Sequence, residues 1–165
     1  MSDAKPQGLS RLARMILALI IVLIVAGVAL NGISAGVWQR FFHNLLDRPD
    51  GPMRFRFILQ PAMAAIAAIR DGRMDAVTGN SPFFWTILNK PGERTARLRE
   101  ALNATARIVL LGVVMDVVYQ ALVFKTFYPG EAVVVALVLA FVPYVLVRGL
   151  ALRVVRARGS AAGTR

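Results

Sequence analysis

Hydrophobic residues in this chain are gathered into long blocks bounded by arginines. Three blocks of sixteen or seventeen residues occupy positions 15–30, 108–124 and 132–147. An α-helix rises 1.5 Å per residue, so each block with its flanks approaches the roughly 30 Å of a bilayer's hydrocarbon core. The pattern predicts an all-α fold, a polytopic membrane helix bundle of three to four transmembrane helices with short interfacial or cytoplasmic helices.

A fourth apolar segment is shorter and leaves the number of spans open. Its core, residues 57–69, covers only about 20 Å of helix, which is short for a span. Arg54 and Arg56 could lengthen it by extending their side chains toward the headgroups, and Pro61 indicates a kink or a helix start. Residues 53–70 therefore form either a short span or a re-entrant or interfacial helix.

The first apolar block also has two interpretations, a cleaved signal peptide or a retained helix over residues 15–38. The apolar run is long, and no clear small-residue cleavage site follows it. Trp38, Phe41 and Phe42 are typical of an aromatic belt at a membrane surface. These features favour a retained helix, in which Gly32 and Gly36 have the spacing of a helix-packing motif.

Aromatic residues mark a second surface segment between the apolar blocks. Ser81 and Pro82 are favoured residues for an N-cap and first helical position. The sequence FFWTIL that follows them contains three consecutive aromatic residues. It predicts a short helix lying in the plane of the headgroups.

Charge indicates the orientation of the bundle. The chain carries 20 Lys and Arg against 9 Asp and Glu, and its arginines flank the apolar blocks. This pattern favours a bilayer with anionic headgroups as the partner, and not nucleic acid. Counting basic residues with either three or four spans places the C-terminus and loop 71–103 in the cytoplasm of an inner-membrane protein. The predicted units are a basic cytoplasmic tail 1–14, one bundle 15–152 with spans near 15–38, 53–70, 104–127 and 132–148, and a basic disordered tail 153–165.

One acidic residue lies inside the block 108–124. A central Asp costs roughly 2.5–3.5 kcal/mol in a bilayer, so this carboxyl is expected to face protein. At 100° per residue it shares one helix face with other polar or small residues, and this stripe consists of Gly112, Asp116, Tyr119 and Gln120. Asn31 is the candidate partner on the first helix. Two interpretations stay open: a buried carboxyl, charged or neutral, that is hydrogen-bonded to another helix, or a proton or ion relay or ligand contact.

Most catalytic chemistry finds no support in the sequence. There is no cysteine and a single histidine, His43, which excludes disulfides, thiolate metal sites and histidine clusters. Motifs of metalloproteases, serine hydrolases and P-loop enzymes do not occur. We expect no catalytic residue, metal or cofactor, and a structural or accessory role through helix packing with a second copy or a membrane partner. The alternative is a small transporter or proton- or ion-coupled component that uses the Asp116 stripe.

Several segments resemble a family of small, uncharacterised bacterial inner-membrane proteins. The resemblance covers residues 53–149, over half of the chain, and implies an inner-membrane location without implying an activity. The segments that carry it are FRFILQP (55–61), AIRDG (68–72), SPFFW (81–85), ATARIVLLGVVMDVVYQ (104–120), YPGEA (128–132) and FVPYVLVRG (141–149).

Overall fold

The computed structural model describes residues 8–47 and 53–162, and every regular element in these ranges is helical. The prediction of an all-α bundle is therefore confirmed. The elements are α1 (Arg11–Asn31), α2 (Ala35–Asp47), α3 (Arg56–Val77), α4 (Phe83–Asn89), α5 (Pro91–Tyr119), a π-helical turn (Gln120–Phe124) and α6 (Pro129–Ala162).

Three of these helices are long and apolar enough to cross a membrane. They cover Arg11–Asn31, Pro91–Phe124 and Pro129–Gly159. The helix α3 is not among them, because charged residues occupy its second half. It nevertheless runs without interruption for 22 residues, with Pro61 inside it. The choice between a short span and a re-entrant or interfacial helix at 53–70 stays a prediction.

The core is formed by α3, α5 and α6, and α1 packs beside α5 and α6. Arg56 contacts Asp116, and Asp75 contacts Arg97, so α3 and α5 are antiparallel. The helices approach closely where small residues meet. A Cβ added to Gly72 would lie 2.5 Å from the carbonyl oxygen of Arg148. Such contacts fix the register between the helices.

The predicted packing motif in the first apolar block does not form an interhelical contact within the described chain. Gly32 ends α1 with a φ of +70°, and its N–H donates to the carbonyl of Val28. A Cβ on Gly32 would meet no atom within 4 Å, and one on Gly36 would meet only the Ser34 hydroxyl. The glycine of α1 that contacts another helix is Gly27, which lies against the backbone of Gly130.

Several boundaries differ from the sequence prediction. The first helix ends at Asn31 and not at Trp38, because the left-handed Gly32 stops it. The predicted cytoplasmic connection 71–103 is mostly helical, since it contains the end of α3, all of α4 and the start of α5. The last helix continues to Ala162, so residues 153–162 are helical. The outer parts of the predicted tails, 1–7 and 163–165, lie outside the described residues.

Candidate functional site

The carboxylate of Asp116 is enclosed in the core and bonded to two side chains. Arg56 Nη2 donates to Asp116 Oδ1 at 2.5 Å, and Gln120 Nε2 donates to Oδ2 at 2.6 Å. All three side chains are fully buried. Gly112 and Tyr119 of the predicted stripe are buried as well. The stripe thus faces protein, and the antiparallel register of α3 brings Arg56 to it.

Asp116 is bonded to Arg56 and not to Asn31, which the sequence suggested as its partner. Asn31 instead donates to the carbonyl of Gly27 in its own helix at 3.3 Å. Arg56 was expected to reach outward to the headgroups, yet it has no exposed surface. A buried guanidinium is tolerated when it is paired with an opposite charge. The carboxyl of Asp116 is therefore one half of a buried ion pair with Arg56 of α3.

Gln120 connects this ion pair to the turn between α5 and α6. The backbone N–H of Tyr128 donates to Gln120 Oε1 at 2.6 Å, and Gln120 Nε2 also approaches the Tyr128 carbonyl at 3.2 Å. The rings of Phe57 and Tyr119 each lie 5.2 Å from the guanidinium carbon of Arg56. These ring faces stabilise a desolvated cation.

Some buried nitrogen and oxygen atoms at this site form no hydrogen bond within the described chain. Arg56 Nε, Arg56 Nη1 and Gln60 Oε1 are buried and have no hydrogen-bond partner among its atoms. Gln60 Nε2 donates to the carbonyl of Ile108 at 3.3 Å. Buried donors and acceptors of this kind are usually satisfied by ordered water. Water between Arg56 and Gln60, which are one helical turn apart, would satisfy both side chains.

A second buried network surrounds Arg148, and the sequence pattern did not predict it. All three guanidinium nitrogens of Arg148 donate hydrogen bonds. Nε bonds to Asp75 at 2.6 Å, Nη2 to Glu100 at 2.6 Å, and Nη1 to the hydroxyl of Tyr144 at 2.7 Å. Arg148 is only 1% exposed. This arginine therefore joins α3, α5 and α6 at one point.

Arg97 completes the second network as another donor. Its Nη1 bonds to Asp75 at 2.9 Å and to Glu100 at 3.1 Å. Burial alone would raise the pKa of Asp75, but the hydrogen bonds and charges of Arg148 and Arg97 outweigh it and hold this pKa below its usual range. The hydroxyl of Tyr144 donates to Asp71 at 2.6 Å.

The two networks lie near opposite ends of the three-helix core. Asp116 and Arg97 are nineteen positions apart on α5, as are Arg56 and Asp75 on α3. Nineteen residues of helix span about 28 Å, which is close to the thickness of a hydrocarbon core. The buried residues between the networks are mainly small and apolar, and include Ala64, Ala68, Val109, Gly112, Ala136 and Ala140.

A third polar contact attaches α2 to the start of α6. Asn44 donates to both carboxylate oxygens of Glu131 at 3.2 and 3.3 Å, and Arg40 Nε lies 3.7 Å from Glu131. The guanidinium of Arg40 also covers the ring of Tyr128 at 4.3 Å. A mainly apolar cavity of about 260 Å³ lies beside this contact, and Asn31 and Gly32 line it. These two candidate residues thus belong to this cavity, not to the Asp116 site.

The sequence contained a partial signal for the second network. Asp71 and Asp75 are one turn apart on α3, and Arg97 and Glu100 have a similar spacing on α5, so each pair lies on one helix face. The charge pattern, however, predicts only that the arginines flank the apolar blocks, and it does not indicate that Arg97 and Arg148 are buried. Within the described residues, no group of three or more His, Asp or Glu side chains is arranged to hold a metal ion.

No protein-family model matches this sequence, and no curated protein or solved structure is detectably similar to it. The resemblance to small bacterial inner-membrane proteins therefore stays a prediction. Function must be inferred from the geometry of the helices and their two buried networks.

Proposed function

We propose that this chain is a small integral membrane protein with a non-enzymatic, structural or accessory role, exerted through helix packing with a second copy or a membrane partner. The observation that carries this proposal is the distribution of polarity. Three helices are long and apolar enough to cross a membrane, and Arg56, Asp116 and Arg148 are turned inward.

The outer surfaces of the apolar helices support this proposal. Only 22% of the residues in the apolar stretch of α1 are buried within the chain. Ile21 and Val25 of α1 are exposed, as are Val142 and Leu146 of α6. A water-soluble bundle would carry polar residues at such positions. Lipid, or an apolar partner surface within lipid, is the environment that suits them.

The two short helices are consistent with two membrane surfaces. The helix α2 is attached to Glu131 and exposes Trp38 and Phe42. The helix α4 exposes Phe84 and Trp85, and its buried Phe83 lies 4.9 Å from the guanidinium of Arg148. Glu131 and Arg148 are separated by about 25 Å of helix. Short helices with exposed aromatic residues at both ends of the core are typical of membrane interfaces.

The charge distribution favours a bacterial inner membrane with the α4 end in the cytoplasm. Exposed arginines are concentrated at that end of the molecule, which is the arrangement that the positive-inside rule requires. They include Arg70, Arg73, Arg94, Arg99 and Arg153. The C-terminal end of α6 is then cytoplasmic, and the turn at 125–128 faces the opposite side.

Membrane insertion and orientation are testable because the natural chain has no cysteine. Single variants Thr126→Cys and Ala157→Cys place thiols at exposed positions on opposite ends. We expect the protein to remain in the membrane pellet after alkaline carbonate washing. An impermeant maleimide should label the Thr126→Cys variant in intact spheroplasts and the Ala157→Cys variant only after permeabilisation. A protein that stays dissolved without detergent would refute the proposal.

A proton- or ion-coupled role is the second candidate, and the buried polar atoms of Arg56 and Gln60 that have no partner among the described residues favour it. The π-helical turn after Tyr119 adds to this, since such turns are frequent at functional sites. The test is flux in proteoliposomes that contain the wild type or Asp116→Asn. Absence of flux in the wild type, or equal flux in the two proteins, rejects this role.

A further inference from the structure

A groove of about 370 Å³ runs between the second half of α3 and the end of α6, and none of its lining residues belongs to either buried network. Its floor is apolar and two arginines border it. The residues that line this groove include Ile69, Arg73, Val147, Leu150, Val154 and Arg158. Leu150 and Val154 are exposed by about half of their surface, so the described chain leaves this apolar strip uncovered.

The groove is apolar at one end and positively charged toward the other. Ile69 and Val147 form one end, which points toward the apolar middle of the bundle. Arg158 lies eleven residues beyond Val147, or about 16 Å farther along α6. Arg73 is near the middle of this path. An occupant that fits must be apolar at one end and anionic at the other.

The two arginines are free to bind such an occupant. Both are exposed, and neither forms a hydrogen bond or ion pair with the described residues. No carboxylate lies among the described residues that line the groove. The nearby Asp71 and Asp75 are already bonded to Tyr144, Arg97 and Arg148. The groove therefore has an uncompensated positive charge.

We propose that this groove binds one anionic phospholipid of the cytoplasmic leaflet. The phosphate contacts Arg73 and Arg158, and an acyl chain lies along Leu150 and Val154 toward Val147. Arginine is well suited to phosphate because its planar fork presents parallel donors. A second copy docked groove to groove would bring like charges together, which disfavours that occupant. This lipid site depends on the proposed membrane location.

The test compares lipid-dependent thermal stability of the full chain in a nonionic detergent. The probes are phosphatidylglycerol, phosphatidylcholine with the same acyl chains, and inorganic phosphate. A ligand that binds the folded state raises the melting temperature, and the rise grows with the logarithm of the ligand concentration divided by its dissociation constant. The variant is Arg73→Gln with Arg158→Gln. The control is Arg99→Gln with Arg153→Gln, which removes equal charge from exposed positions outside the groove.

We expect phosphatidylglycerol to stabilise the wild type and the control more than phosphatidylcholine does. The groove variant should bind phosphatidylglycerol about thirtyfold more weakly, since each basic residue near an anionic lipid contributes about a fivefold factor. Inorganic phosphate should have no effect. The inference is overturned if the groove variant keeps its lipid preference, if phosphate alone stabilises equally, or if Val154→Cys forms a disulfide between two copies. A chain that is soluble without detergent would instead refute the membrane proposal itself.

Discussion

Arg148 and Arg56 are both almost completely buried, but their hydrogen-bonding groups are satisfied to different degrees. Arg148 uses all three guanidinium nitrogens, and Arg97 supplies a second donor to the same carboxylates. Arg56 uses one nitrogen on Asp116, while its other two are unpaired within the described chain. The side chain of Glu100 is 44% exposed, whereas that of Asp116 is fully enclosed. The Asp116 site therefore has less capacity to compensate for a lost partner.

The largest expected effect is at Asp116. Asp116→Leu leaves the Arg56 guanidinium buried without its carboxylate, which should destabilise the fold by about 3–5 kcal/mol. The measurement is unfolding of the protein in detergent micelles. The double variant Arg56→Met, Asp116→Leu should recover most of this loss, because it removes both charges. A double variant as unstable as the single one would contradict a dominant role for the ion pair.

Arg148→Met should have a somewhat smaller effect. It removes three hydrogen bonds, but Arg97 remains bonded to Asp75 and Glu100, and Glu100 can reach solvent. We expect a loss of about 2–4 kcal/mol, which extends below the roughly 3–5 kcal/mol of a broken buried pair because the groups left behind keep other partners. The same micelle assay measures it. A loss greater than that of Asp116→Leu would reverse our comparison of the two networks.

Replacing the glycine beside each network with alanine should destabilise the fold by different amounts in the same micelle assay. A Cβ on Gly72 would lie 2.5 Å from the backbone carbonyl oxygen of Arg148, whereas the nearest backbone atom to one on Gly112 is the Cα of Ala136 at 3.1 Å and its closest contact is the end of the Gln60 side chain. Because side chains yield more easily than backbone, we expect Gly72→Ala to cost about 2–3 kcal/mol and Gly112→Ala about 1–2 kcal/mol. Gly36→Ala is the control and should stabilise α2 slightly, since its Cβ has open space. Equal losses at Gly72 and Gly112 would contradict this explanation.

The smallest expected effect is the pH dependence of the stability that Asp75 contributes in the second network. The pKa of Asp75 is lowered in the fold, and an unfolded Asp has a pKa of about 3.9. The stabilisation is therefore complete above about pH 4 and is lost as the pH falls below it toward the folded-state pKa. Melting temperatures measured from about pH 7 to about pH 3 should decline in this acid range. Asp75→Asn should start lower and decline less, and a parallel decline would contradict the assignment to Asp75.

The order of residues along the chain determined the all-α architecture and the inward direction of Asp116. Blocks of apolar residues predict long helices, and a 100° advance per residue places Gly112, Asp116, Tyr119 and Gln120 on one face. A charge on an otherwise apolar helix must turn toward protein, so the burial of this stripe followed from local periodicity alone.

Only the tertiary structure decided which side chains contact that face of α5 and which glycines contact a neighbouring helix. Arg56 and Asp116 are sixty positions apart, and Asp75 and Arg148 are seventy-three apart. Their pairing depends on the direction and register of α3 against α5 and α6, which close contacts such as that at Gly72 set. Helical periodicity specifies a face within one helix but carries no information about the offset between two helices. Arg56 and Arg148 therefore looked like surface arginines in the sequence, although the packed helices enclose both.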